Sequence, residues 1–187
     1  MRFLSAFLIM FIFIHTASAV ERAQFYAGGM MVSGGSIAMQ DVFPDMEGLY
    51  MGVGGRLYFM IGSGFRIGIM GGVGRMSYGN NASRFQYSHS VLSAEWGLSL
   101  SRFTIAAGIT GGRAKYYILD KLDVDETGII TAREYQKAVP VFSPIISLEF
   151  SLSDRLRMTA VIDYPVMSIE NNRHGGLRIG AGILFVK

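Results

Sequence analysis

Along most of the chain, apolar side chains alternate with small or polar ones, the period of two that marks a β-strand with two unlike faces. Residues 48–59 show it plainly: Leu49, Met51, Val53, Gly55, Leu57 and Phe59 share one face, and Tyr50, Gly52, Gly54, Arg56 and Tyr58 the other. The next stretch sets Phe65, Ile67, Ile69, Gly71 and Val73 against Arg66, Gly68, Met70, Gly72 and Gly74. Near the C-terminus Leu177, Ile179, Ala181, Ile183 and Phe185 oppose Arg178, Gly180, Gly182 and Leu184. Eight such segments are expected, at about 25–34, 48–59, 64–78, 85–100, 102–117, 141–152, 155–168 and 175–186. None of them carries the run of about 18 apolar residues that a membrane-spanning helix needs.

The connections alternate in length. Met60–Ser63, Ser101 and Ser153-Asp154 are short, whereas 35–47, 79–84, 118–140 and 169–174 are longer. Short turns at one end and long loops at the other are the layout of a transmembrane barrel with its short turns in the periplasm. The predicted fold class is therefore all-β: an eight-stranded antiparallel up-and-down transmembrane β-barrel over residues 20–187. Eight strands leave an interior only wide enough for side chains, so the more apolar face has to point outward. A soluble barrel would need a polar exterior. Glycines on the inward parity make room where larger side chains would collide. Phe59, Phe65, Phe103, Phe150 and Phe185 share the apolar parity at the short-turn ends, where an interfacial aromatic girdle belongs. Tyr50, Tyr78, Tyr116, Tyr117 and Tyr164 sit toward the other ends, as do Pro140, Pro144 and Pro165, where strand pairing can lapse.

The first nineteen residues have a different character. Met1-Arg2 is a positive start, Phe3 to Ile14 is apolar apart from Ser5, and His15-Thr16-Ala17-Ser18-Ala19 places small residues where a signal peptidase cuts. A signal peptide over 1–19 is expected, with the mature chain starting near Val20; an uncleaved anchor is the alternative.

Composition narrows the function classes. Half of the 187 residues are hydrophobic and 17% are charged, which excludes a disordered protein. The absence of cysteine excludes disulfides, thiol nucleophiles, cysteine zinc sites and N-terminal lipid attachment through Cys. A net charge of +3 with no basic run gives no reason to expect nucleic acid as a partner.

The predicted lumen face carries seven charged residues: Arg56, Arg66, Glu95, Glu149, Arg157, Asp163 and Arg178. An Arg or Lys facing lipid at the midplane would cost about 2–4 kcal/mol, so these groups are expected in the lumen, paired with one another. Such pairs would plug the barrel; a narrow ion path through rearranged pairs is the alternative. Catalysis would need a nucleophile, a base and an orienting group in contact. His89, Ser93 and Glu95 are the best set on one face, but four residues of strand put His89 about 13 Å from Ser93, too far for proton transfer. A lipid-modifying enzyme is thus a third reading, dependent on His89 meeting a serine of another strand.

Two segments resemble known motifs. Arg178-x-Gly180-x-x-Ile183-x-Phe185 is similar to the C-terminal assembly signal of outer-membrane proteins, although Val186 and Lys187 follow the aromatic. With the signal peptide and the strand pattern, the whole mature chain resembles the small outer-membrane barrels of the OmpA/OmpX type. That resemblance implies a bacterial outer-membrane location, lipid as the surroundings, the barrel-assembly machinery as a partner in biogenesis, and loops that meet extracellular or envelope partners. The second segment, 123–134, resembles an EF-hand loop: Asp123, Asp125, Thr127, Ile129, Thr131 and Glu134 stand where that loop supplies calcium ligands, and Gly128 where it turns sharply. The neutral Thr127 departs from the usual Asp or Asn. The resemblance implies calcium as the one possible cofactor, flanked by short helical arms over 117–119 and 132–138. Asn81-Ala82-Ser83 fits a glycosylation sequon and is taken as coincidental.

Overall fold

The structure, a computed structural model, describes residues 25–38, 46–62, 64–78, 83–124, 130–169 and 172–187. The alternating sequence forms ten strands: β1 (Phe25–Ala38), β2 (Glu47–Ile61), β3 (Phe65–Tyr78), β4 (Ser83–Leu100), β5 (Phe103–Val124), β6 (Ile130–Ser153), β7 (Leu156–Asp163), β8 (Val166–Ile169), β9 (Asn172–Gly175) and β10 (Arg178–Val186). All pair antiparallel. From β5 the sheet runs through β4, β3, β2, β1, β10 and β7 to β6, which pairs with β5 and closes the ring.

Ten strands make eight staves. β8 continues β7, pairing with β6 in the same register (Ile145 with Asp163, Val141 with Met167). β9 likewise precedes β10 in one register against that stave (Asp163 with Arg178, Val166 with Gly175). Proline causes the interruption. The Tyr164 N–H donates to the Pro144 carbonyl, so the side of Pro144 that lacks an N–H faces the gap between β7 and β8, where Pro165 lacks one as well. The eight expected segments match these staves.

The longest expected loop is largely strand. β5 and β6 run as a hairpin from Phe103–Phe150 out to Val124–Ile130, so most of 118–140 is paired. The inward apolar parity simply continues: Ile118 is fully buried and Tyr116 stacks on Tyr135 with ring centroids 5.9 Å apart. The acidic and basic residues beyond Ile118 mask that continuation in the sequence. The short turns fall where expected, and Gly62 and Ser101 adopt positive φ (63° and 56°) to make two of them.

The two faces separate as the alternation requires. Leu49 and Met51 are each 77% exposed, while Tyr58 between the outward Leu57 and Phe59 is fully buried. Exposed apolar side chains circle the wall on β1 to β7 and β10. At the short-turn end they finish in aromatics: Phe103 and Phe150 lie 4.8 Å apart between centroids, Phe65 neighbours Trp96, and Tyr26 neighbours Phe59. Trp96 and Tyr26 thus join the phenylalanines expected there. At the other end Tyr50, Tyr78 and Tyr116 turn inward instead.

The interior has two zones. Toward the long-loop end it is an apolar core in which Met46, Met76, Tyr50, Phe85, Tyr87, Tyr116 and Ile118 pack together. Toward the short turns it is polar.

Candidate functional site

The polar zone brings the lumen residues singled out in the sequence into two groups. In the first, Arg56 on β2 reaches Glu95 on β4 at 2.7 Å, and the Ser147 hydroxyl donates to the second Glu95 oxygen at 2.9 Å. Arg66 on β3 meets Glu149 on β6 at 2.7 Å, and Arg157 on β7 reaches the other Glu149 oxygen at 3.2 Å. That oxygen also accepts from the Tyr58 hydroxyl at 2.7 Å. The guanidinium carbons of Arg56 and Arg66 lie 5.0 and 4.8 Å from the Tyr58 ring centroid, within cation–π range. This contact matters because Nε and Nη1 of Arg56 and Nε and Nη2 of Arg66 have no hydrogen-bond acceptor among the described residues.

The second group lies nearer mid-barrel. Both Arg178 and Asp163 are buried, and Nε of Arg178 donates to Asp163 at 2.8 Å while Nη2 contacts the second carboxylate oxygen. Nη1 of Arg178 reaches the His89 ring, whose face stacks on Tyr87 at 5.3 Å between centroids. A void of about 30 Å³ adjoins His89, Asp163 and Arg178, room for a water molecule or two.

Paired in this way, the buried charges offset their desolvation, which unpaired they could not. All seven expected lumen residues therefore take part. Sequence reasoning did not include Tyr58, Ser147 and His89 in this network, yet each shares the inward parity, two residues from Arg56, two from Glu149, and four from Ser93 respectively. Parity alone was signal enough.

The catalytic set is not assembled. His89 is held by Arg178, Glu95 by Arg56 and Ser147, and Ser93 is a buried side chain beside Gly68, with its Oγ 3.0 Å from where a Cβ there would stand. The assembly-signal positions lie on β10, with Arg178 and Gly180 inward and Ile183 and Phe185 outward. In the calcium-type segment Asp125, Thr127 and Ile129 lie outside the described residues, and Asp123 and Thr131 stand on β5 and β6. Glu134 is exposed on β6 opposite Leu119, so the flanks expected as helical arms are paired strands. The expected leader over 1–19 and the sequon at Asn81 also lie outside the described residues.

No protein-family model matches the chain, and no curated protein does either. Solved structures do. The crystal structure of Neisserial surface protein A aligns with a TM-score of 0.64 at 9% identity, covering 86% of this chain and 96% of that one. The chain has the fold of the small outer-membrane β-barrels. The attachment invasion locus protein of Yersinia pestis aligns with a TM-score of 0.56 at 10% identity, covering 86% and 98% of the two chains. The outer membrane protein OprG of Pseudomonas aeruginosa aligns with a TM-score of 0.50 at 7% identity, covering 87% and 94%.

Proposed function

We propose that the protein is an exported barrel of a bacterial outer membrane, with an occluded lumen and a structural or surface-interaction role carried by its outer rim. One observation supports this most: the wall is apolar on its outside and charged on its inside. Leu49, Met51, Ile69, Leu92, Ile109, Ile146, Ile162 and Ile179 are more than half or nearly half exposed, while Arg56, Arg66, Glu95 and Glu149 are buried at 1–3%. In water this inversion would expose a belt of apolar surface far larger than a soluble monomer tolerates. In a bilayer it is the arrangement of least cost. In this reading the segment 1–19 is the cleaved leader, and the short turns lie in the periplasm.

The rim is where contact with partners would occur. The Yersinia barrel of the same fold is named for attachment and invasion, and in this chain too the outer end is the part that would meet other surfaces. Calcium at 123–134 belongs to the same proposal, with a geometric condition. Glu134 sits opposite Leu119, several rungs below Asp123, so an ion held by both requires the Asp120–Arg133 and Lys121–Ala132 rungs to open.

Heat modifiability tests the membrane reading. Extracted from an envelope fraction in detergent, the unboiled protein is expected to migrate differently from the boiled one on a denaturing gel. Solubility without detergent and identical migration would instead mean a soluble β-domain.

A further inference from the structure

Among the side chains that the structure describes, outward-facing cations above the apolar belt lie on one arc of the wall. Arg75 on β3, Arg84 on β4, and Arg113 and Lys115 on β5 are all exposed. The register sets Arg75 beside Gln86, Arg113 beside Ser90 and Lys115 beside Ser88, so hydrogen-bonding side chains fill the intervening positions on β4. Among the side chains that the structure describes, no carboxylate shares the outward face of these three strands; Glu47 on β2 and Glu134 on β6 flank them.

Height along the wall gives the arc its meaning. Arg75 and Arg113 each lie ten residues beyond the girdle phenylalanine of the same strand, Phe65 and Phe103. With about 3.3 Å per residue and a tilt of roughly 40°, that is about 25 Å, the height of the apolar band of a membrane barrel. The cations therefore begin where the outer leaflet's head groups begin, directly above exposed Ile69, Leu92 and Ile109. A guanidinium fork suits a phosphate group, and an apolar strip below it suits acyl chains. A soluble polyanion would use the first feature and leave the second unused.

We propose that this arc binds the phosphate groups of an anionic lipid in the outer leaflet, whose acyl chains lie along β3–β5 beneath it. The inference rests on the outer-membrane reading above. The test uses the full-length protein folded in a neutral detergent, with three probes added and binding followed by calorimetry: a phosphorylated lipid A, the same lipid with its phosphates removed, and sucrose octasulfate. Tight binding of the phosphorylated lipid alone is expected. A variant carrying Arg75→Gln, Arg84→Gln, Arg113→Gln and Lys115→Gln should bind about a hundredfold more weakly. All four side chains are exposed, and the heat shift of each sample confirms folding; if the fourfold variant lacks it, the paired variants Arg75→Gln/Arg84→Gln and Arg113→Gln/Lys115→Gln take its place. Equal binding by variant and wild type, or equal binding of the dephosphorylated lipid, overturns the proposal, as does sucrose octasulfate binding as tightly as the lipid. Any of these with the heat shift intact leaves the membrane reading standing, whereas loss of the shift in the wild type removes both.

Discussion

Tyr58 and Glu149 stand on opposite staves of an eight-stave wall, yet hydroxyl and carboxylate meet at 2.7 Å. The lumen is narrow enough for one pair of side chains to cross it. Glu149 also receives Arg66 and Arg157, which makes it the acceptor on which three donors from three strands converge.

That convergence ranks two substitutions. Glu149→Ala strands the buried Arg66 without an acceptor and should cost about 3–5 kcal/mol. Tyr58→Phe removes one donor and keeps the ring beneath both guanidiniums, for about 1–2 kcal/mol. Urea titration of the folded band in vesicles measures both; equal losses would mean that Glu149 is not the centre of the cluster.

The staves and their facing were legible because alternation is a local signal and each face is chemically uniform: Leu49 to Phe59 and Tyr50 to Tyr58 separate without knowledge of any neighbour. The pairing of charges was less so. Parity puts Arg56 and Glu95 in the same lumen, but their contact depends on the closure of the ring and on the stagger of β2 against β4. The reach of the β5–β6 hairpin was hidden for a different reason. By Arg113 the strand has left the belt, its outward positions turn polar at Arg113 and Lys115, and the Asp and Lys residues that follow in the sequence resemble a loop. The apolar zone toward the long-loop end was overlooked because its methionines and tyrosines occur on the parity otherwise marked by glycine and charge.

The Tyr50 ring lies between two glycines, and that placement predicts a rescue. A Cβ at Gly74 would stand 2.6 Å from Tyr50 Cδ2, and one at Gly35 would stand 2.6 Å from the Tyr50 hydroxyl oxygen. The ring cannot retreat from one without approaching the other. Gly74→Ala should therefore cost about 1–3 kcal/mol through overpacking. In a Tyr50→Ala background the same substitution should cost almost nothing. A double-mutant cycle by urea titration checks this, and additive losses would count against it.

The membrane reading makes a position-dependent prediction on the outside of the wall. Ile69 is half exposed, four residues above Phe65 and so near the middle of the belt, whereas Ser77 on the same face lies beyond it. Ile69→Arg should destabilise the barrel in vesicles by about 2–4 kcal/mol, and Ser77→Arg by roughly 0–1 kcal/mol. In a soluble barrel both would be tolerated alike, so equal unfolding midpoints would contradict the lipid-facing assignment.

The two-zone interior bears on conductance. Replacing Arg56 and Glu95 by Ala clears one ion pair from the short-turn half, but Glu149 keeps its three donors and Arg178 still bridges Asp163 and His89. Above them Tyr87 stacks on His89, and Tyr50 packs against Tyr87 and Phe85 at 5.8 and 6.5 Å between centroids, a continuous aromatic layer. An ion that passed the charged half would meet this layer with little to replace its hydration. Neither the wild type nor Arg56→Ala/Glu95→Ala should therefore carry steady current in a planar bilayer. Adding Tyr50→Ala and Tyr87→Ala should allow current steps, because only then are both zones breached. Sustained current in the wild type would show that the lumen is an open path, and current in the Arg56/Glu95 variant alone would show that the aromatic layer does not seal it.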